Sequence, residues 1–326
     1  MDNLLLNLKN FMELTRFYSL NMTLGACFII FSYAFYSEKF SIINFLLLII
    51  ALCFVHLGAN LFDCYIDVKT KLNQGYNFEN MHFSLEKKAR LIRNGTYSLN
   101  QVKLILTLLF GSALLIGFYF AYTTDWKVLL FALIGALLTL FYPISSKYYM
   151  SEIIVGLIFG PLMIMGGYYA LSGEFNSSLF LLSWAIFLTT IILLHTHNIM
   201  DWEFDEKENK NTLARMLKTK KRAITAMKWM MILAYYIVVF GVLKGMFNPY
   251  MLSVFLTLPI ATKLNESIKD YINIKDVKFE PRWYWGMFEN WKEIKEERFD
   301  YFMFRFYLAR NFSSFFAIFA AIGAMM

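Results

Sequence analysis

The chain has 326 residues, of which 58% are hydrophobic, 19% aromatic and only 17% charged, with a net charge of +7. A mean hydropathy of +0.48 and apolar residues gathered in long blocks exclude an ordinary soluble domain and indicate an all-α, polytopic membrane protein. The basic surplus falls between the apolar blocks, so it bears on membrane topology and gives no reason to expect nucleic acid as a partner.

The opening stretch, MDNLLLNLKNFMELTR, lacks a basic n-region, a short apolar core and a small-residue cleavage site, so no removable signal peptide is expected. Nine apolar segments follow, at roughly 17–36, 41–59, 102–122, 127–142, 152–171, 178–198, 226–244, 249–263 and 302–325. The fourth and eighth are short for a span of about 20 residues. Cys27, Cys53 and Cys64 lie in or beside these runs without metal-ligand spacing, and read as small packing residues.

Loop charges orient the segments. Three connections, 68–101, 199–225 and 264–301, hold most of the Lys and Arg, including Lys69, Lys71, Lys87, Lys88, Arg90, Arg93, Lys207, Lys210, Arg215, Lys275, Lys278 and Arg282. The alternate connections carry only Lys39, Lys127 and Lys244. The positive-inside rule then places the N-terminus in the cytoplasm and the C-terminus outside, and fits nine spans of a multi-pass protein; a bacterial cell membrane is the expected location. The whole chain, 1–326, is expected to form a single transmembrane domain.

The pattern Asn-x-x-Asp-x-x-x-Asp occurs twice where an apolar run ends: Asn60, Asp63 and Asp67, then Asn198, Asp201 and Asp205. Separations of three and four residues stack side chains on one helix face. Each copy is therefore expected to present an amide and two carboxylates at the cytoplasmic end of a hydrophobic helix. Carboxylates at a membrane boundary are costly unless neutralised, and mark functional sites by default.

Oxygen clusters of this kind suit Mg²⁺, which is commonly held by one or two carboxylates together with substrate phosphates. Asp63, Asp67, Asp201 and Asp205 are thus the candidate metal ligands and catalytic groups, with a diphosphate bridging to them. Asn60 and Asn198 can orient a carboxylate or donate to phosphate. Tyr142, Lys147, Arg93 and Lys210 are the candidate donors to that diphosphate. Loss of diphosphate from an allylic carbon leaves a delocalised cation, which aromatic faces stabilise. His56, His195 and His197 read as packing or hydrogen-bonding residues, because no Glu-x-x-His pattern accompanies them. No G-x-S-x-G, H-E-x-x-H, P-loop or G-x-G-x-x-G stretch is present.

At these residues the sequence resembles the UbiA superfamily of intramembrane prenyltransferases, and within it the branch that prenylates 1,4-dihydroxy-2-naphthoate in menaquinone synthesis. HNIMDWEFDEKENKNTLARML is similar to the second motif, through Asp201, Asp205, Lys210, Thr212, Leu213 and Ala214. SEIIVGLIFGPLMIMGGYYALSG is similar to the segment after the Tyr/Pro loop, through Glu152, Gly156, Phe159, Gly160, Pro161 and Gly166. ARLIRNGTYS matches the loop after the first motif through Arg93 and Gly95.

The resemblance, over about residues 13–245, implies a nine-helix bundle with a central cavity open to the cytoplasmic side. It implies a Mg²⁺-bound prenyl diphosphate between the two motifs and an aromatic or lipid acceptor alkylated with loss of diphosphate, among membrane lipids. The first motif departs from the branch pattern Asn-x-x-Asn-Asp-x-x-Asp: Asp63 stands for the inner Asn and Cys64 for its Asp. One carboxylate is thereby moved about 100° around the helix. An Asp restored at position 64 is expected to be tolerated if the shifted set still meets one metal. The Trp-rich stretch EPRWYWGMFENWKEIKEERFD is longer than the branch leads one to expect, and reads as an interfacial segment or an acceptor-selecting lid. Alternatives are a member acting on a lipid alcohol, tetrapyrrole or other phenol, a cation-coupled transporter, or a non-catalytic scaffold.

Overall fold

The computed structural model describes residues 2–74, 90–273 and 279–326. Lys87, Lys88, Lys275 and Lys278 lie outside the described residues. The described chain is helical, with no strand. In order the helices are α1 (Asp2–Leu14), α2 (Asn21–Ala34), α3 (Ile42–Asn73), α4 (Leu99–Thr123), α5 (Val128–Ser145), α6 (Ser151–Leu157) and α7 (Met163–Ser172). They continue with α8 (Ser177–Met200), α9 (Trp202–Lys207), α10 (Leu213–Met216), α11 (Lys220–Leu243), α12 (Leu258–Ile272), α13 (Trp291–Glu296) and α14 (Asp300–Met325).

Eight helical stretches among the described residues are long and apolar enough to cross a membrane. They reproduce eight of the nine expected segments. The remaining one, 249–263, is helical from Pro249 to Ile272, first as a 3-10 helix and then as α12, but is not among the eight. The fourth segment is longer than expected, because helix continues through Pro143 and a 3-10 turn to give Val128–Tyr148, 21 residues. Only 11% of its most apolar window is buried, against 61% for Ser177–Met200, so the first turns its side chains outward and the second is a core helix.

The chain forms two compact units, one of Met1–Leu24, Lys39–Pro143 and Ala170–Gly173, the other of Gly25–Glu38, Ile144–Tyr169 and Glu174–Met326. In the first unit α3 packs along α4, and Leu57 and Leu109 close on Leu20. Ser41 caps α3 by accepting from Asn44 N, and Ser98 with Gln101 forms a capping box at α4.

In the second unit α8 is the centre, packed by α6, α11 and α14. Gly160 makes the α6 approach possible: a Cβ there would lie 2.7 Å from Ser183 O and 2.8 Å from Phe187 N. Gly160 and Pro161 also sit in a π-type turn, Ile158–Leu162, that bends the α6–α7 span. That bend and close approach bring Glu152 beside the end of α8.

Candidate active site

The first acidic copy lies within a helix and not at its end. The apolar stretch stops near Ala59, but α3 runs on to Asn73, past Asp67. Asn60 Nδ2 donates to Thr15 O at 3.2 Å and to Ser19 Oγ at 2.9 Å. His56 lies one turn earlier, with Nε2 3.0 Å from Ser19 Oγ and Nδ1 2.7 Å from Thr23 Oγ1, the hydrogen-bonding role expected of it.

Asp63 Oδ2 accepts from Arg16 Nη2 at 3.2 Å, and Asp67 lies 3.7 Å from Lys71 Nζ. A guanidinium thus faces one of the two Asp63 carboxylate oxygens. Arg16 sits at φ 53, ψ 49, a left-handed conformation that is uncommon for a residue with a side chain. Burial disfavours its charge, but Asp63, with Tyr18 and Tyr142 next, outweighs that, and its pKa is raised. Cys64 is 2% exposed and belongs to the packing. Arg93 is exposed on the helical turn 90–93, with Nε 3.5 Å from Asn94 Oδ1.

The second copy is more elaborately built. α8 ends at Met200, and Asp201 stands at the junction with α9. Helical register passes through the junction, since Asp201 N donates to His197 O and Asp205 N to Asp201 O, at 2.9 and 2.8 Å. Asn198, Asp201 and Asp205 thus keep one face, as the spacing predicts. Both carboxylates are buried, Asp201 at 7% and Asp205 at 4% exposure. His197 Nδ1 lies 3.3 Å from Asp201 Oδ2.

Glu152, fully buried, ties the site together. Its Oε1 accepts from Asn198 Nδ2 at 2.6 Å and from Leu213 N at 2.9 Å, and its Oε2 accepts from Ser151 Oγ at 2.8 Å. Asn198 therefore orients a carboxylate, one of its two expected roles, though the carboxylate is Glu152. The connection between α9 and α10 is pinned from several sides. Asn211 N donates to Ser146 O at 2.9 Å and Asn211 Nδ2 to Lys147 O at 3.3 Å. The backbone of Lys147 is thus attached to this connection while its side chain is exposed. Lys210 N donates to Asp205 O at 2.8 Å, and its ammonium lies 5.3 Å from the Phe204 ring centre. Arg215 Nη1 donates to Asp205 O at 3.2 Å and to Lys210 O at 2.5 Å.

One atom is left over. Asp205 Oδ2 is buried and has no hydrogen-bond partner among the described residues. Burial pushes this carboxyl up to about 7; Lys210 opposes the shift, Asp201 and Glu152 add to it, and Arg215 opposes it. A buried carboxylate oxygen left without a donor, four residues from a second buried carboxylate, makes an all-oxygen donor set that fits Mg²⁺. Among the described residues no three His, Cys, Asp or Glu side chains converge on one point, so the fit is to an ion that keeps waters and shares phosphate oxygens, not to a closed protein cage.

Sequence reasoning missed Arg16 as part of these surroundings, whereas Arg215 stood among the basic loop residues that could add charge there. Arg16 is far along the chain from Asp63, and only a tertiary contact reveals the pair. Glu152 was visible through the resemblance, but not its role as a clamp.

Residues 24–271 match the UbiA prenyltransferase family. Among curated proteins, the 1,4-dihydroxy-2-naphthoate octaprenyltransferase of Bacillus subtilis (strain 168) is 25% identical over 243 residues, covering 73% of this chain and 74% of its own length. Among solved structures, a UbiA homologue from Archaeoglobus fulgidus bound to GPP and Mg²⁺ matches with a TM-score of 0.60 at 14% identity, covering 94% of this chain and 99% of that one. A digeranylgeranylglyceryl phosphate synthase matches with a TM-score of 0.57 at 17% identity, over 98% of both chains. The fold likeness and the match over most of the chain agree with the motif around Asp201 and Asp205: the chain belongs to the UbiA prenyltransferase family.

Proposed function

We propose that this membrane prenyltransferase moves a prenyl group from a prenyl diphosphate to an aromatic acceptor, a quinone precursor of the dihydroxynaphthoate kind, with release of diphosphate in a Mg²⁺-dependent reaction. The observation that carries the reading is the orphaned Asp205 Oδ2 beside Asp201, ringed by Lys210 and Arg215. Family membership decides for the enzyme over the transporter reading. The name of the Bacillus relative supports the acceptor class, and the GPP and Mg²⁺ in the Archaeoglobus homologue support the donor and the ion.

In this reading Asp201 and Asp205 hold the cation. Bound Mg²⁺ supplies positive charge to the diphosphate as the allylic C–O bond breaks. Lys210 and Lys147 offer protonated donors to the same leaving group. A new C–C bond forms between the allylic carbon and the acceptor ring, and the ring proton at that position is lost. Glu152 and Asn198 keep the 209–213 connection in place so that Lys210 stays beside Asp205.

Asp67, Asn60, Tyr142 and Arg93 enter on the strength of the repeated sequence pattern and the motif resemblance alone. Asp63 enters in the same way as a metal ligand, with Arg16 as its counter-ion at 3.2 Å. The loop charges support nine spans with the 249–263 segment as the eighth and a cytoplasmic N-terminus, while the family resemblance supports a single domain, 1–326, a bacterial cell-membrane location and a cavity open to the cytoplasmic side. Purified protein in lipid nanodiscs, given labelled prenyl diphosphates of several lengths and a panel of naphthoate, benzoate and glyceryl phosphate acceptors with and without Mg²⁺, tests the proposal. Transfer to the naphthoate only with Mg²⁺ supports it; transfer confined to glyceryl phosphate would replace the acceptor class.

A further inference from the structure

The family match ends at residue 271, yet helix α14, residues 300–325, reaches the second acidic copy by two routes. The first runs through Arg305, which is 1% exposed. Its Nε donates to Ser267 O at 2.7 Å, it also donates to Tyr301 O, and its guanidinium lies over the Tyr271 ring at 5.0 Å and the Phe279 ring at 4.9 Å. Tyr271 in turn donates from its hydroxyl to Met200 O at 3.0 Å, the carbonyl immediately before Asp201. Lys220, paired with Glu203, lies over the same ring at 5.7 Å. Burial, with Glu203 and Tyr301 next, pushes the Tyr271 phenol up to about 12, so the hydroxyl keeps the proton it donates.

The second route runs through His197. Its ring meets Phe302 and Phe306 edge-on, at centroid distances of 5.3 and 6.5 Å, while its Nδ1 faces Asp201 Oδ2. Phe302, Arg305 and Phe306 are spaced i, i+3, i+4 and so form one face of α14. An expensive buried guanidinium and two aromatic rings on a single face thus converge on the two groups that flank Asp201 in the chain or touch its carboxylate. Packing alone does not call for an Arg at such a position, since burying a charge inside a membrane span is costly and marks function.

We propose that this face of α14 is the positioning device of Asp201: Arg305 fixes Tyr271, Tyr271 clamps the end of α8 at Met200, and Phe302 and Phe306 hold His197 against the carboxylate. The inference rests on the reading of Asp201 as a cation-binding group. Helix α14 thereby sets how well the second copy binds its ion, from outside the family-matched stretch.

The test measures Mn²⁺ affinity of the full-length protein in detergent by electron paramagnetic resonance, alongside thermal unfolding. Tyr271→Phe keeps the ring and its cation contacts and removes one hydrogen bond, so it is expected to weaken Mn²⁺ binding by about three- to tenfold with little change in unfolding temperature. Arg305→Lys is expected to weaken it by a similar factor, and the double variant to be no worse than the poorer single one, because both act along one chain of contacts. Phe302→Leu, on the His197 route, is expected to weaken binding by about threefold and supplies the second reading should Tyr271→Phe fold poorly. Asp201→Asn is the control. Loss of binding in Asp201→Asn with parental affinity in Tyr271→Phe and Phe302→Leu overturns the inference alone. Parental affinity in Asp201→Asn overturns the cation reading and the inference with it.

Discussion

Glu152 offers the sharpest test of how the second acidic copy is held. It is fully buried, and its Oε1 is the acceptor for both Asn198 Nδ2 and Leu213 N. Glu152→Ala removes that acceptor and leaves two donors without partners. Each unsatisfied buried donor costs about 1–3 kcal/mol, so the pair implies roughly 2–6 kcal/mol. Glu152→Gln keeps a carbonyl oxygen where Oε1 lies and presents its amide to Ser151 Oγ, which can accept. What is lost there is the stronger carboxylate acceptor, a cost of about 1 kcal/mol. Thermal unfolding in detergent, followed by tryptophan fluorescence, measures the ranking, and limited proteolysis reads the 208–213 connection directly. The expected result is a large fall in unfolding temperature and new cleavage near Asn209–Asn211 for Glu152→Ala, with a small fall and no new cleavage for Glu152→Gln. Equal behaviour of the two variants would refute the clamp.

Three further outcomes follow from the same geometry. Arg16→Ala and Asp63→Ala should each destabilise the protein, and a double-mutant cycle should return a coupling of about 1 kcal/mol, because the pair is only partly exposed; additive effects would show the pair to be incidental. Cys64→Asp should lower the unfolding temperature sharply, since it places a carboxylate at a 2%-exposed packing position, whereas Cys64→Ser should cost little; a well-folded, Mg²⁺-responsive Cys64→Asp would restore the motif-based expectation that Asp is tolerated there. In chelator, Asp205→Asn should be more stable than the parent above pH 7. Asp205 is raised from 3.8 to about 7, so folding takes up a proton within that window, and the cost of the buried anion is absent at lower pH and complete above it. The stability gain, on the order of a few kcal/mol at pH 8, should vanish near pH 4 and shrink when Mg²⁺ is added; a gain independent of pH would contradict the burial argument.

Much of this molecule was legible in its sequence because membrane burial writes a strong signal. Eight of the nine apolar blocks became long helices, and the i, i+3, i+7 spacing of Asn198, Asp201 and Asp205 became one face. The block at 249–263 differs: a 3-10 helix from Pro249 feeds the amphipathic α12, which runs on to Ile272 beyond the apolar stretch. The two acidic copies looked alike because local spacing is all that a sequence pattern records. Their environments differ through residues distant in the chain: Arg16 reaches Asp63 from 47 positions away, and Glu152 reaches Asn198 from 46. The Trp-rich stretch reads in sequence as an interfacial segment or a lid, but its packing partner is not legible there. Its 3-10 turn at Trp283–Trp285 is tied to α14 by Asn311, which donates to Trp285 O and Met287 O at 2.9 and 3.0 Å. Gly286, at φ 92, permits this, since a Cβ there would fall 2.6 Å from Phe315 Cε2.

The central claim is Mg²⁺-dependent prenyl transfer through Asp201 and Asp205. It is tested most directly by measuring transfer from a labelled prenyl diphosphate to a dihydroxynaphthoate in nanodiscs, for the parent, Asp201→Asn and Asp205→Asn, across a Mg²⁺ titration. The account predicts product for the parent only when Mg²⁺ is present, and a loss of at least about a hundredfold in either variant, in line with removal of a group that stabilises transition-state charge. Parental turnover in both variants, or turnover by the parent in the presence of a chelator, would contradict it.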